Sequence, residues 1–136
     1  MADIKQLQQR FIDEVQTKGD DGVLDELIAD DFVDHSPAPG VPPTKDGVRG
    51  LFAMFRGAMP DLHVDTHDMV SEGDTVATRK TLVGTQRGEL FGAPATNKEL
   101  RIEVIDFVRY SDGRIVEHWN LVDTYGLMVQ LGVIPS

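Results

Sequence analysis

Asp123 lies where two apolar segments meet, at the end of GRIVEHWNLVD and before TYGLMVQLG. A carboxyl group can take a proton from a carbon beside a carbonyl and return it later, if it alternates between ionised and protonated forms. Apolar neighbours such as Trp119 and Leu127 would make that carboxylate a stronger base. Asp is also among the best residues to cap a helix N-terminus, and Asp123 directly precedes a helix-like stretch. The sequence therefore leaves two roles open, acid/base and helix cap.

Two further polar side chains are candidates beside Asp123. His35, in the loop segment DHSPAPG, is able to hydrogen-bond a substrate carbonyl or tune the aspartate, or else to fasten the loop by bonding to backbone. Tyr125 can donate a hydrogen bond to an oxyanion, or pack with a solvated hydroxyl. We predict Asp123 and His35 as catalytic residues and Tyr125 as a substrate contact.

The last predicted strand carries a histidine and a tryptophan on opposite faces. If the strand is regular, Trp119 shares a face with Asp123, so we expect Trp119 in a pocket and His118 outside it. A bulge would change this assignment. Trp119 can stack on a planar ligand and is predicted to bind substrate, although a large aromatic residue there is commonly part of the core.

Arg79 and Lys80 are neighbours on a predicted central strand, so one of the two points inward. A buried cation needs a carboxylate or an anionic ligand beside it. Glu103 on the next strand is a candidate partner for the inward one, which makes a structural ion pair the simpler interpretation and contact with a substrate anion the alternative. We place Arg79 and Glu103 in the predicted substrate site.

A metal site is not expected. His63, Asp65 and His67 alternate along one predicted strand. The two histidines would stand about 13 Å apart along that strand at ~3.3 Å per residue, which is too far to share one ion. The chain has no Cys, which removes thiolate ligands and cysteine nucleophiles.

The elements that must position these residues follow from hydrophobic periodicity. Spacings of three and four predict a helix from Asp3, a short one after Asp20, and a third from Thr44 to Pro60. After Pro60 the period changes to two, and the turns SEGD and SDG are typical of hairpins. A short helix closes the chain. We predict an α+β domain with helices on one face of a curved antiparallel sheet, enclosing a pocket. The predicted strands are HVDTHDMV, TVATRKTLVGT, LRIEVIDFVRY and GRIVEHWNLVD.

Composition sets the class of protein and its partners. The chain has 136 residues, of which 40% are hydrophobic, and a formal net charge of −10, which predicts one packed domain over residues 1–136. The acidic surface repels phosphate backbones and anionic lipids, so neither nucleic acid nor membrane is an expected partner. MADIKQLQQRF lacks the pattern of a signal peptide, which predicts a cytoplasmic protein. A half-covered sheet commonly pairs, so we expect a homodimer.

Four segments together resemble the SnoaL-like polyketide cyclases, a branch of the NTF2-like superfamily. They are DDFVDHSPAPG, GVRGLFAMFRGAMPDLHV, EGDTVATRKTLVGTQRGELFGAPAT and SDGRIVEHWNLVDTYGLMVQLG, and the resemblance runs over nearly the whole chain. It implies a cone-shaped α+β barrel with a deep pocket for a hydrophobic small molecule. It also implies an intramolecular aldol ring closure without metal or organic cofactor. The acid/base aspartate that the family has at the end of its last strand matches Asp123.

Three functions stay open from the sequence. The leading one is cyclisation or isomerisation of a polyketide-like carbonyl compound through an enolate, with Asp123 as acid/base. The second is epoxide hydrolysis, which needs an Asp–Arg–Asp network of the residue types found at Asp106, Arg79 and Asp123. The third is a non-catalytic protein that binds a small molecule or dimerises and keeps only the pocket.

Overall fold

The computed structural model describes residues 3 to 135. Two helices start where predicted, at Asp3 and Thr44, because the side chain of each residue caps its helix by accepting a hydrogen bond from a free backbone N–H of the first turn. Within residues 3 to 135, no helix has the length and apolarity needed to span a bilayer. The helices are α1 (Ile4–Arg10), continued by a π-helix (Phe11–Thr17), then α2 (Asp21–Leu27), α3 (Lys45–Ala58) and α4 (Thr124–Gln130).

The strands are β1 (Ile28–Asp34), β2 (His63–Glu72), β3 (Thr75–Thr85), β4 (Glu99–Ser111) and β5 (Arg114–Val122). They form one sheet in the order β1-β5-β4-β3-β2. The pairs β2–β3, β3–β4 and β4–β5 are antiparallel, as predicted.

The edge strand β1 corrects the prediction of a purely antiparallel sheet, because it pairs in parallel with β5. The helical spacing of apolar residues after Asp20 continues through Leu27 to Ile28, so the sequence predicts a helix there and no strand after it. The strand was missed because its exposed positions include Asp30 and Asp31, while Phe32 and Asp34 are buried. A buried aspartate hides the alternation of apolar and polar residues by which a strand is recognised.

The helices cover only part of the concave face of the sheet. One cluster of buried side chains joins α3 and α4 to β3 and β4, through residues such as Phe55, Ile102 and Leu127. A second joins the π-helix and α2 to the other end of the sheet. Between the two clusters a cavity of about 740 Å³ remains. The predicted α+β architecture with a pocket between helices and sheet is confirmed.

Candidate active site

The cavity is large enough for a small organic molecule, since ligand pockets typically have volumes of roughly 300–1,000 Å³. Its walls are mainly apolar and come from α1, the π-helix, α3, α4 and the concave face of the sheet. The part of that face formed by β1, β3, β4 and β5, called the polar floor below, carries the polar side chains Asp34, Lys80, Asp106, His118 and Asn120. An apolar chamber with a few convergent polar groups is the usual form of a binding or active site.

His118 is the central residue of this polar floor. Its Nδ1 lies 3.0 Å from Asp34 Oδ1, and its Nε2 lies 3.5 Å from Asp106 Oδ2. Asp34 is opposite His118 on the parallel strand β1, and Asp106 comes from β4. Two carboxylates on different strands therefore hold one imidazole at the cavity wall.

Lys80 extends the same network from β3. Its ammonium Nζ donates to Asp106 Oδ2 at 2.8 Å and to Gln16 Oε1 at 3.2 Å. Lys80 and Asp106 are each only 2% exposed, so this is a buried ion pair. Asp34, His118, Asp106 and Lys80 thus alternate in charge when the imidazole is protonated.

The network shifts the pKa values of its members in opposite directions. Burial by itself lowers the pKa of His118, but hydrogen bonds to Asp106 and Asp34, together with their charges, raise it above its usual 6.5. Burial works against ionisation of Asp106, yet Lys80 and His118 hold the pKa of that carboxyl below its usual value. The pKa of Asp34 is likewise lowered, chiefly by His118, against the effect of burial.

Two more polar groups line the cavity beside His118. Asn120, the next inward residue of β5, is opposite Asp106 in the register. Its backbone N–H donates to Ser36 Oγ at 3.1 Å, while no residue among 3 to 135 hydrogen-bonds its carboxamide. Asn120 therefore offers a free hydrogen-bond donor and acceptor to a molecule in the cavity.

Gln8 supports the floor from α1. Tyr110 is 3% exposed, and its hydroxyl donates to Gln8 Oε1 at 2.7 Å. Burial, with the Asp106 charge, raises the pKa of Tyr110 far above its usual range. The phenol is therefore neutral and serves as a hydrogen-bond donor to Gln8.

Asp123 lies outside this constellation. It is exposed, follows the last residue of β5 and caps α4, with its Oδ1 accepting a hydrogen bond from the Gly126 N–H at 2.9 Å. A Cβ at residue 126 would stand 2.3 Å from Asp123 Oδ2, which accounts for the glycine. The residues lining the cavity do not include Asp123. The geometry supports the capping role that the sequence left open, and the acid/base role stays a prediction.

The expected faces of Trp119 and His118 are wrong, because His118 lines the cavity and Trp119 does not. The prediction took Asp123 as an inward residue, whereas β5 ends one residue earlier and its inward positions are His118, Asn120 and Val122. Trp119 stacks on His35 outside the cavity, with ring centroids 4.7 Å apart.

His35 is therefore on the outer side of the molecule, away from the cavity wall. Its Nε2 lies 2.8 Å from Glu117 Oε2, and Glu117 also accepts a hydrogen bond from Arg109 Nε at 2.6 Å. These two partners lower the pKa of Glu117. His35 and Asp123, predicted as a catalytic pair, are not brought together.

The remaining predicted substrate contacts also lie off the cavity wall. Arg79 points outward and pairs with Asp68, with 2.6 Å between Nε and Oδ2. The Glu103 carboxylate instead accepts a hydrogen bond from Thr81 Oγ1 at 2.9 Å. Tyr125 is 68% exposed. Lys80 is the inward member of the Arg79–Lys80 pair.

The three residues considered as metal ligands, His63, Asp65 and His67, all lie on β2. Residues 3 to 135 contain no group of three His, Asp or Glu side chains placed to hold an ion. His63 Nε2 lies 3.8 Å from Asp65 Oδ1, whereas His67 Nε2 lies 2.6 Å from Thr81 Oγ1.

The sequence did not predict that Asp34, Lys80, Asp106 and His118 form one group. Each is a charged or titratable residue at an inward position of its strand, where apolar side chains are expected, and this was a usable signal. In LRIEVIDFVRY, the inward series Ile102, Val104, Asp106 and Val108 has one carboxylate among aliphatic residues. Such an interruption marks a buried charge that needs a partner.

Comparison with known proteins agrees with the fold and the cavity. Residues 6–131 match the model of the SnoaL-like polyketide cyclase family. The curated relative aklanonic acid methyl ester cyclase DnrD of Streptomyces peucetius is 32% identical over 72 residues, which are 53% of this chain and 50% of that protein. The match thus spans only half the length of that relative.

Two solved structures resemble the chain over nearly its whole length. TsrD of Streptomyces laurentii superposes with a TM-score of 0.87 at 29% identity, covering 98% of this chain and 100% of that one. IdmH of Streptomyces antibioticus superposes with a TM-score of 0.84 at 32% identity, covering 96% and 99%.

Proposed function

The chain belongs to the SnoaL-like polyketide cyclase family, and from this membership we propose that it closes a ring in a largely apolar carbonyl compound by an intramolecular aldol-type reaction. The observation that carries the proposal is the imidazole of His118, which faces the cavity between the carboxylates of Asp34 and Asp106. We assign the acid/base role to His118. An isomerisation through the same enolate uses the same first step.

Proton removal begins the reaction. With its Nδ1–H donating to Asp34, a neutral His118 has its basic lone pair on Nε2. That nitrogen takes a proton from a carbon next to a substrate carbonyl, and the C–H electron pair becomes an enolate. The raised pKa of His118 makes it a stronger base than an ordinary histidine, and the two carboxylates stabilise the imidazolium that forms.

Ring closure returns that proton. The enolate carbon bonds to a second carbonyl carbon of the same molecule, and the C=O π electrons become an alkoxide. The His118 imidazolium then protonates the alkoxide, which regenerates the neutral base. The sequence consists of proton transfers and one C–C bond, so it consumes no oxidant or reductant.

Asn120 is placed to stabilise the enolate. Its carboxamide is free of partners among residues 3 to 135, and it lies on the cavity wall two residues from His118. A preorganised N–H donor aimed at a developing oxyanion, in a site from which water is excluded, is commonly the largest contribution to such catalysis. We propose that Asn120 donates to the enolate oxygen while His118 handles the proton.

Epoxide hydrolysis receives less support than cyclisation. It would require Asp106, Arg79 and Asp123 to meet around a water molecule. Asp106 faces the cavity, whereas Arg79 pairs with Asp68 on the other face of the sheet and Asp123 caps α4. The three do not converge.

The test uses aklanonic acid methyl ester, which the name of the curated relative identifies as its substrate. The protein is incubated with the ester in D2O, and NMR and mass spectrometry follow deuterium at the carbon next to the carbonyl and the ring-closed product. We expect both signals from the wild type, and a loss of about 10²–10⁴-fold in rate for His118→Gln. His35→Gln, which alters an exposed histidine off the cavity wall, is the matched control and keeps its rate.

Two outcomes would contradict the proposal. A His118→Gln variant as fast as the wild type removes His118 from the mechanism. Saturable binding of the ester without deuterium exchange or product supports the non-catalytic binding protein instead.

We also propose that the chain forms a homodimer through the outer face of its sheet. Ile105, Phe107 and Trp119 lie there with 52%, 51% and 38% of their surface exposed. Phe107 and Trp119 are directly opposite each other on β4 and β5. Paired charges of both signs, such as Arg79–Asp68, flank them, so the same surface on a second copy is complementary to it under two-fold symmetry.

A further inference from the structure

Phe91 occupies an unfavourable backbone conformation at the cavity. Its φ is +48° and that of Gly92 is +81°. The two residues form the tip of a tight turn, in which the Leu90 N–H donates to the Ala93 carbonyl at 3.0 Å and the Ala93 N–H donates to the Leu90 carbonyl at 2.9 Å. Turns with two left-handed residues favour Asn or Asp followed by Gly, so a phenylalanine at the first position is unusual.

A buried glutamine holds this turn in place. Gln86 is fully buried, and its Nε2 donates to the carbonyls of Ala93 and Pro94 at 3.3 and 3.2 Å. Its Oε1 accepts hydrogen bonds from the N–H and hydroxyl of Thr96 at 3.1 and 2.8 Å. Leu90 on the other side of the turn is also fully buried. The conformation of Phe91 is therefore imposed by anchors on both sides.

The ring that this turn presents lines the cavity. Phe91 is 40% exposed, and its ring meets that of Phe55 on α3 edge to face, with centroids 5.9 Å apart and planes at 84°. Phe55 is buried and limits the movement of the Phe91 ring. The turn thus keeps a large aromatic side chain exposed to the cavity, although this requires a strained backbone and leaves apolar surface in contact with water.

We propose that Phe91 is a specificity-determining residue that selects ligands with a planar, conjugated ring. Backbone strain persists where the surroundings impose it, and it concentrates at sites of function. Contact between two aromatic rings is more favourable in free energy than contact between an aromatic ring and an aliphatic group of equal area. Ordering of the Phe91 ring before binding reduces the entropy lost on complex formation. The proposal rests on the proposed function only in placing the ligand in this cavity.

The test compares two neutral ketones of different shape, 1,8-dihydroxyanthraquinone, which is planar and conjugated, and cyclododecanone, which is neither. Their dissociation constants are measured by isothermal titration calorimetry on the wild type and on Phe91→Leu, which keeps apolar bulk but loses the ring. We expect the variant to weaken anthraquinone binding by roughly 2- to 12-fold, the range that aromatic pairing energies correspond to. Binding of cyclododecanone stays unchanged.

Phe91→Asn is the second variant, because Asn tolerates the left-handed conformation and keeps the turn. It should fold with a melting temperature at least as high as that of the wild type and also lose the preference for the anthraquinone. Three results would overturn the proposal. They are an equal loss of affinity for both ketones in the variants, no loss of affinity for either ketone, and failure of the wild type to bind the anthraquinone. Anthraquinone binding measured by calorimetry requires no proton transfer, so failure of the acid/base proposal is seen separately in the rate of deuterium exchange.

Discussion

Asp34 and His118 occupy opposite positions on the parallel strands β1 and β5, and Asp34 Oδ1 lies 3.0 Å from His118 Nδ1. This contact fixes the rotation of the imidazole and turns Nε2 towards Asp106 and the cavity. A carboxylate that orients a histidine in this way also stabilises its protonated form. One hydrogen bond across the only parallel pair of the described sheet therefore orients the proposed proton carrier and, together with Asp106, raises its basicity.

Stability should fall as pH rises above about 6.5. Because the pKa of His118 is raised in the folded protein from 6.5, the stabilisation it provides is fully present below the unfolded pKa. It is lost as pH increases through the folded pKa. The corresponding contributions of Asp34 and Asp106, whose folded pKa values are lowered, are lost only in acid, as pH falls through those values. The pH range in which His118 changes stability therefore does not overlap with the acidic range in which the two aspartates do.

Urea unfolding between pH 5 and 9 checks this expectation. The wild type should lose free energy of unfolding across the upper part of that range. Asp34→Asn, which removes one of the two carboxylates, should show a weaker dependence of unfolding free energy on pH. His118→Gln should lack the part of that dependence that the imidazole causes. A His118→Gln curve parallel to that of the wild type would show that His118 is not the responsible group.

Removing one member of the buried Lys80–Asp106 pair should be strongly destabilising. Lys80→Met leaves the Asp106 carboxylate in a site that is 2% exposed, and breaking such a pair typically costs about 3–5 kcal/mol. The double variant Lys80→Met/Asp106→Leu removes both charges and should recover part of that loss. Urea unfolding of the two single variants and the double variant measures the coupling. Additive losses would mean that the two side chains do not interact.

Asp123 should matter for stability and not for proton transfer. Asp123→Ala removes the cap of α4 and should cost about 1 kcal/mol of unfolding free energy. Asp123→Ser keeps a capping oxygen and should remain close to the wild type. Both variants should retain the deuterium-exchange rate. A large loss of that rate in both, with stability preserved in Asp123→Ser, would restore the acid/base role that the family resemblance implied.

The outer face of the sheet should control self-association. Phe107→Glu introduces a charge at the centre of the apolar surface and should convert a dimer into a monomer, as measured by size-exclusion chromatography with light scattering. Val133→Glu is the matched control, since Val133 is 55% exposed but lies beyond α4. Its mass should equal that of the wild type. A monomeric wild type at micromolar concentration would refute the dimer.

Local sequence determined the helices, the hairpins and the class of fold. The caps of α1 and α3 and the turns at SEGD and SDG depend on contacts between residues close together in the chain. They can therefore be recognised from single capping or turn residues, and the strands β2 to β5 from the alternation of apolar and polar positions along each strand. Four quoted segments were also sufficient for the family, which the match over residues 6–131 confirms.

Only the tertiary structure decided which face of each strand meets the cavity. Alternation along β5 separates His118 from Trp119 but does not say which of them points inward, and the choice of Asp123 as a reference residue reversed the answer. Asp34 joins the site through the parallel pairing of β1, a long-range contact that no local pattern records. The polar floor depends on register between strands distant in the chain, and that register is set by packing of the whole sheet against its helices.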